Sequence, residues 1–354
     1  MHLGTTNNQS SSIYNYTINN KSTIASQTTT QMESKTIKTR LLLISDTHAK
    51  PPHLPPSPHP YRHPLPKANI LIHAGDLTTI GSTTEHKTTL SVLKAAGAEL
   101  KLVIAGNHDI TLDEEYYAAL PATSFRTRAG RDDVSAIKQL YCSDEAHAAG
   151  IRYLEEGMHS FTLSTGATLS VYASPYTPAF CGWAFAYPRG RDRFNPPETT
   201  SPEAAADAAG GKAAAAAAAG VVPDFPAVDI MITHGPPAGV LDTVVHGESV
   251  GCEGLFAAVK RARPRMHVFG HIHEGYGALR GEWRTDLTLG GTRVACDEDR
   301  VREERGACVD VSADSGRPLR FGEETLFVNA SVLNERYRAV NAPWVVDLDL
   351  PVAS

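Results

Sequence analysis

Cysteine is scarce in this 354-residue chain. There are five, an odd number, spread as Cys142, Cys181, Cys252, Cys296 and Cys308 without a Cys-x-x-Cys pair. That spacing argues against a disulfide framework and against a thiolate-rich structural zinc site, and it points to a reducing compartment. A surplus of positive charge is also missing: 33 Lys and Arg stand against 39 Asp and Glu, a formal net charge of −6. A protein that coats long nucleic acid needs the opposite balance, so no long nucleic acid is expected as a partner. No apolar run approaches the roughly 20 residues that span a bilayer, so no membrane partner is expected either. The opening stretch MHLGTTNNQSSSIYNYT lacks the apolar core of a secretory leader, and a cytoplasmic protein is the expectation. With 42% hydrophobic residues the chain can bury a sizeable core.

Residues 1–37 are rich in Ser, Thr, Asn and Gln and carry few aliphatics in any period. Such a stretch buries too little apolar surface to offset the entropy of ordering it. A disordered polar tail is therefore predicted ahead of a folded domain over 38–354. Order is expected to begin at the apolar run Thr39–Ser45. Comparable runs recur at Asn69–His73, Leu100–Ala105, Val228–Thr233, Met266–Phe269 and Thr325–Asn329. Continuous runs of this length read as strands buried on both faces. Helical patterns at Thr84–Ala96 and Glu253–Ala262 fall between them, which predicts an α/β layered fold.

Two stretches read as insertions. Pro51–Pro66 is too rich in Pro for helix or ladder pairing and is expected to form an extended loop, with His53, His59 and His63 solvated. Glu203–Gly220 is Ala-rich without a hydrophobic stripe, the pattern of a loosely attached surface tract.

The buried runs end in residues of metal-ligand type. Asp46 and His48 follow the first, Gly75-Asp76 the second and Gly106-Asn107-His108-Asp109 the third. His234-Gly235 and Gly270-His271-Ile272-His273 follow two later ones. Singly these are weak signals, because Gly-Asp is a common turn and an isolated His is more often a core residue. Sites in open α/β sheets form beyond the carboxyl ends of strands, so the ordered set as a whole points to one crevice holding a dinuclear metal site. Two divalent cations roughly 3.5–4 Å apart need a bridging carboxylate and mixed oxygen and imidazole ligands. That donor set suits Mn, Fe or Zn, and the neutral oxygen of Asn107 limits the negative charge around the pair.

The series Asp46-x-His48, Gly75-Asp76, Gly106-Asn107-His108-Asp109, His234 and Gly270-His271-Ile272-His273 resembles the calcineurin-like metallophosphoesterase superfamily. The similarity is closest to the metallophosphoesterase-domain-containing subgroup. It shows in Leu71–Asp76, Ala173–Pro178, Gly182–Phe185, Thr233–Pro237, Val268–Tyr276 and Val328–Ser331. The resemblance implies a four-layer α/β/β/α sandwich with the dinuclear site at the strand ends. It implies that Asp46, His48 and His273 hold one metal, that Asp76 bridges both, and that Asn107, His234 and His271 complete the second. His108 is then a catalytic group that contacts the phosphate and aids the leaving group, oriented by Asp109.

These implications predict a dinuclear metal-dependent phosphoesterase that works by attack of a metal-bridging water, which agrees with the absence of a Ser or Cys nucleophile motif. Phosphoprotein phosphatases of the superfamily carry an Asp and an Arg just after Gly-Asp. Here Leu77-Thr78-Thr79-Ile80 follows, so a small phosphodiester such as a cyclic nucleotide is preferred to a phosphoprotein. The alternatives are a broad-specificity phosphomonoesterase and a slow-turnover metal- or nucleotide-binding protein. Four further residues stand near the motifs. His73 reads as a core residue behind the ligands, Arg189 as either a phosphate contact or a structural loop residue, and Cys181 and Cys252 give no sign of being nucleophiles. The oligomeric state has no sequence signal.

Overall fold

Alternate residues of the first apolar run part to opposite sides: Leu41 and Leu43 enter one core, Leu42 and Ile44 another. That division builds the molecule. The computed structural model describes residues 35–127, 130–196, 220–284 and 288–353. The expected tail, but for its last three residues, and the expected Ala-rich tract, but for Gly220, lie outside them.

The first half of the chain runs β1 (Thr36–Ile44), β2 (Ile70–His73), α1 (Thr83–Ala95), β3 (Leu100–Val103), α2 (Glu114–Ala119), α3 (Val134–Cys142), α4 (Asp144–Ala148) and β4 (Ile151–Tyr153). It continues through β5 (Gly157–Thr162), β6 (Thr168–Ser174), the short β7 (Thr177–Pro178) and β8 (Ala186–Tyr187), and β9 (Ile230–Thr233). Then come α5 (Glu253–Ala262), β10 (Met266–Phe269), β11 (Gly277–Trp283), β12 (Leu289–Arg293), α6 (Glu298–Glu304), β13 (Ala307–Asp310), β14 (Glu324–Asn329) and β15 (Trp344–Pro351). No helix among the described residues is long and apolar enough to cross a membrane.

One sheet has the order β13-β15-β1-β2-β3-β4, the other β12-β11-β14-β10-β9-β6-β5, and β7 pairs with β8. Leu41, Leu43, Ile70, Ile72 and Leu102 of the first sheet meet Val171, Ile230, Ile232, Val268 and Val328 of the second in a central core. Outside the first sheet, Leu42, Ile44, Leu71 and Val103 pack under Leu90 and Leu93 of α1, Tyr141 of α3 and Ala146 of α4. Outside the second, Tyr172, Met231, Phe269 and Phe327 pack under Leu255, Ala258, Val259 and Ala262 of α5. The result is the four-layer α/β/β/α sandwich. Strands covered on both faces explain why these runs are apolar throughout instead of alternating.

Strand β1 starts before the boundary expected at residues 37 and 38. Thr36 and Ile37 already pair with Pro351 and Leu350, because the antiparallel partner β15 extends the ladder past the apolar run. Pro51–Pro66 forms an irregular loop, tied by the His53–Arg62 bridge and by His53 Nε2 against the Ala339 carbonyl at 3.0 Å.

The loop after β2 is fixed by the start of α1. Ser82 caps that helix and Glu85 completes a capping box. The Glu85 carboxylate also accepts from the backbone N–H groups of Thr79, Ile80 and Ser82. A helix-start signal thereby holds the turn that follows Asp76.

Candidate metal centre

The ends of β1 and β2 run side by side into the site. Asp46 N donates to Gly75 O at 3.0 Å and His48 N to Asp76 O at 3.0 Å. Neither segment is relaxed. Asp46, His48, Asp76 and His271 have φ of 52°, 43°, 52° and 66°, in the left-handed region that residues with a Cβ enter rarely and Asp and His more readily than most. The glycines beside them make room for the functional groups. A Cβ on Gly270 would stand 2.0 Å from Asp46 Oδ2, and one on Gly75 (φ +99°) would stand 2.5 Å from His234 Nδ1.

Three of the ligand histidines are each aimed by a backbone carbonyl. His48 Nδ1 faces Thr78 O at 3.0 Å, His234 Nδ1 faces Ala74 O at 3.0 Å, and His273 Nδ1 faces Asn334 O at 3.0 Å. A carbonyl can only accept, so Nδ1 carries the proton and Nε2 is the free ligand atom. Those Nε2 atoms turn to the two carboxylates. His48 Nε2 lies 3.5 Å from Asp76 Oδ2, His234 Nε2 lies 3.3 Å from Asp76 Oδ1, and His273 Nε2 lies 3.4 Å from Asp46 Oδ1. Asp76 thus stands between His48 and His234, one from each of the two expected ligand sets.

Among the described residues, two buried groups gather ligand atoms closely enough to hold an ion: Asp46 with His48 and His273, and Asp46 with Asp76 and His234. Asn107 Oδ1 joins the second at 2.9 Å from His234 Nε2, and the His271 ring stands beside His234 with centroids 5.0 Å apart. His48 Nε2 is buried and has no hydrogen-bond partner, an unsatisfied lone pair of the kind a cation satisfies. Imidazole, carboxylate and amide oxygen together fit divalent cations.

Charge in the cluster follows from these contacts. Burial works against charge on His234 and His273, but Asp76 and Asp46 respectively outweigh it and raise both to about 9. Burial lowers His48 to about 4 and His271 to about 3. Burial also opposes ionisation of Asp46 and Asp76, yet the neighbouring histidines hold both carboxylates well below their ordinary range. Divalent cations compete with the protons of His234 and His273 for the same lone pairs.

Asp109 departs from expectation. It does not orient His108, whose Nδ1 donates instead to Thr79 O at 2.8 Å. The Asp109 carboxylate accepts from Leu77 N (3.1 Å), Thr78 N (2.8 Å), Thr78 Oγ1 (2.7 Å) and Gly106 N (2.8 Å). It clamps the turns that carry Asp76 and Asn107 together. Burial and the nearby Asp76 push its pKa up to about 7 against those donors.

Sequence reasoning missed Ser331, whose Oγ donates to Asp46 Oδ2 at 2.8 Å, and Tyr337, whose ring stands against His48 and His273 at 4.9 and 5.2 Å. The polar Asn-Ala-Ser that ends the buried β14 was the available signal for Ser331. His73 is fully buried behind the site with its Nε2 at 2.9 Å from Thr47 Oγ1. Arg189 borders the cleft and donates to Ala179 O at 3.2 Å. Cys252 caps α5 through Leu255 N, and all five cysteines are free thiols.

The cluster floors a cleft of about 520 Å³ with Asp76, Asn107, His108, His271 and His273. Its walls carry Tyr176, Phe180, Trp183, Tyr187 and Tyr337. Among the described residues lining it, Arg189 is the one Arg or Lys, against Glu248, Glu274 and Glu335.

Comparison with known proteins agrees with this architecture. The profile of the calcineurin-like phosphoesterase family matches residues 39–275. The human metallophosphoesterase domain-containing protein 1 is 32% identical over 319 residues, covering 88% of this chain and 72% of that protein, and the mouse protein of the same name matches equally. A probable rhamnogalacturonate lyase C of Emericella nidulans is 32% identical over 240 residues, 67% of this chain but 17% of that protein. With the layered fold, the strand-end ligand cluster and these matches together, the chain belongs to the calcineurin-like phosphoesterase family.

Proposed function

We propose that the protein hydrolyses small phosphodiesters, cyclic nucleotides among them, with two divalent cations of the Mn, Fe or Zn type. The observation that carries this reading is the convergence of seven ligand-type side chains, Asp46 and Asp76 among them, beside His108 at the floor of an aromatic cleft. Asp46, His48 and His273 would hold one cation and Asn107, His234 and His271 the other, with Asp76 as the carboxylate shared by the two sets. Bound there, the cations supply Lewis acidity toward phosphoryl oxygens and an activated water.

The chain's own residues do the rest. With Nδ1 donating to Thr79 O, the His108 imidazolium holds its second proton on Nε2, which passes it to the leaving oxygen and leaves the ring neutral. The aromatic walls take the organic substituents of the ester. The choice of a diester rests on charge. A monoester dianion calls for a cationic grip beyond the metals, yet the cleft adds Arg189 alone and sets Glu248, Glu274 and Glu335 against it. A diester carries one negative charge and has two substituents for the walls.

The test is turnover by the metal-loaded protein on bis-p-nitrophenyl phosphate, p-nitrophenyl phosphate and a set of cyclic nucleotides. Preference for the diesters is expected, and a clear preference for the monoester would sink the diesterase reading. His108→Ala is expected to lower kcat by about 10²–10⁴-fold with metal retained, whereas His234→Ala and His271→Ala lose metal along with activity.

A further inference from the structure

His108 is held by more than its hydrogen bond. The Trp183 indole lies over the imidazole with ring centroids 3.9 Å apart and planes 30° from parallel. The Arg126 guanidinium lies 4.0 Å from the Trp183 ring centre. Two planar groups at that distance cannot share one face of a ring, so Trp183 is sandwiched between Arg126 and His108. Arg126 also lies over Phe125 at 4.7 Å and reaches Cys181 O at 3.4 Å. The edge of His48 closes on His108 from another side, with centroids 4.8 Å apart and planes at 88°.

The loop bearing Trp183 is anchored independently of the metal ligands. Tyr116 of α2 donates to Gly182 O at 2.7 Å, and Asp113, which caps α2, accepts from Phe185 N at 2.8 Å. The Trp183 backbone N–H also donates to Phe180 O at 3.3 Å. The platform is therefore tied to a helix. The bond from His108 Nδ1 to Thr79 O fixes the ring at one atom and leaves it free to tilt about that contact. A flat surface against its face removes that freedom.

We propose that Trp183, backed by Arg126, is a positioning residue that holds the His108 imidazole at the angle needed for proton transfer to the leaving oxygen. This rests on the role given to His108 above. Misplacing a reacting group by about 1 Å can cost on the order of 10²-fold in rate. Loss of the platform therefore lowers kcat and leaves the metals alone, over and above any rise in KM from losing Trp183 as a wall of the cleft.

The test uses the full-length metal-loaded protein with bis-p-nitrophenyl phosphate and with a diester that has an alkoxide leaving group. Trp183→Ala is expected to reduce kcat by about 10- to 100-fold, more for the alkoxide ester, with metal content unchanged, and Trp183→Phe to recover most of the loss. In a His108→Ala background, Trp183→Ala should add nothing. A separate readout needs no turnover. An indole stacked on imidazole is quenched, so the emission difference between the protein and its Trp183→Phe variant should grow when His108 is replaced by Ala. Losses that multiply in the double variant, a change confined to KM, or an emission difference unmoved by His108→Ala would each overturn the proposal. If His108→Ala is damaging and Trp183→Ala harmless, this inference fails alone. If His108→Ala is itself harmless, the role of His108 fails and the inference with it.

Discussion

Ser331 Oγ donates to Asp46 Oδ2 at 2.8 Å, joining the end of β14 to the end of β1 across 285 positions of chain. Asp46 takes its other donor from the backbone of His271, whose N–H lies 3.0 Å from both of its oxygens. The two contacts fix the plane of a carboxylate that belongs to both close ligand groups. Ser331→Ala removes one and leaves the fold, since the hydroxyl is the only group lost. Partners of this kind behind a ligand are worth about 10–100-fold in metal affinity, and a loss of that size is expected in a metal titration. An unchanged affinity would show that the backbone of His271 orients Asp46 unaided.

Asp76→Ala should act on both cations at once. His48 Nε2 approaches one oxygen of Asp76 and His234 Nε2 the other, at 3.5 and 3.3 Å. Removing the carboxylate deletes the negative charge between the two ligand sets. Elemental analysis after dialysis should find both ions lost, whereas two ions retained per chain would place the bridge elsewhere.

Asp109→Ala separates a structural role from a catalytic one. The carboxylate is fully buried and accepts from the backbone of Leu77, Thr78 and Gly106. Its loss strands those N–H groups inside the protein, each at about 1–3 kcal/mol. A clear fall in the denaturant midpoint is expected, with metal affinity falling too because both turns carry ligands. A wild-type midpoint with turnover alone reduced would restore the orienting role toward His108.

The layers and the ligand cluster were legible because their signals are local. Strands buried on both faces appear as unbroken apolar runs, and the groups of the site follow directly at their ends, as at Ile44 to Asp46 and Phe269 to His271. Strands half-exposed at an edge were not: β5, Gly157–Thr162, alternates partly buried and exposed positions in six residues that include Gly and Ser. β15 hides its ladder behind the acidic alternation of Asp347 and Asp349. What orients the site is less visible still. The carbonyls of Ala74, Thr78, Thr79 and Asn334 aim the histidines, and a carbonyl carries no residue identity. Ser331 and Trp183 reach their partners only through sheet order and a helix-anchored loop, and Asp109 was misread because adjacency to His108 in sequence suggested a contact that the turn geometry spends on backbone N–H groups.

Glu324 opens β14 with 1% of its side chain exposed and pairs with Arg280 of β11, Nε to Oε1 at 3.0 Å and Nη2 to Oε2 at 2.7 Å. Burial alone would raise its pKa, but the Arg280 hydrogen bonds and the Arg320 N–H lower it from 4.5 to about 2. The folded value is thus below the unfolded one, so the stabilisation is present in full above the unfolded pKa and drains away as pH falls toward 2. A shift of this size corresponds to about 3 kcal/mol. Glu324→Gln ends the titration and leaves Arg280 buried with a neutral partner, which should destabilise the protein by about 3–5 kcal/mol at pH 7. Denaturant unfolding of the two chelator-treated proteins at pH 7 and at pH 3 should show that gap narrowing in acid, because the wild-type carboxylate loses its advantage as it protonates while the amide has none to lose. A gap of equal size at both pH values would mean that ionisation of Glu324 contributes nothing to the fold.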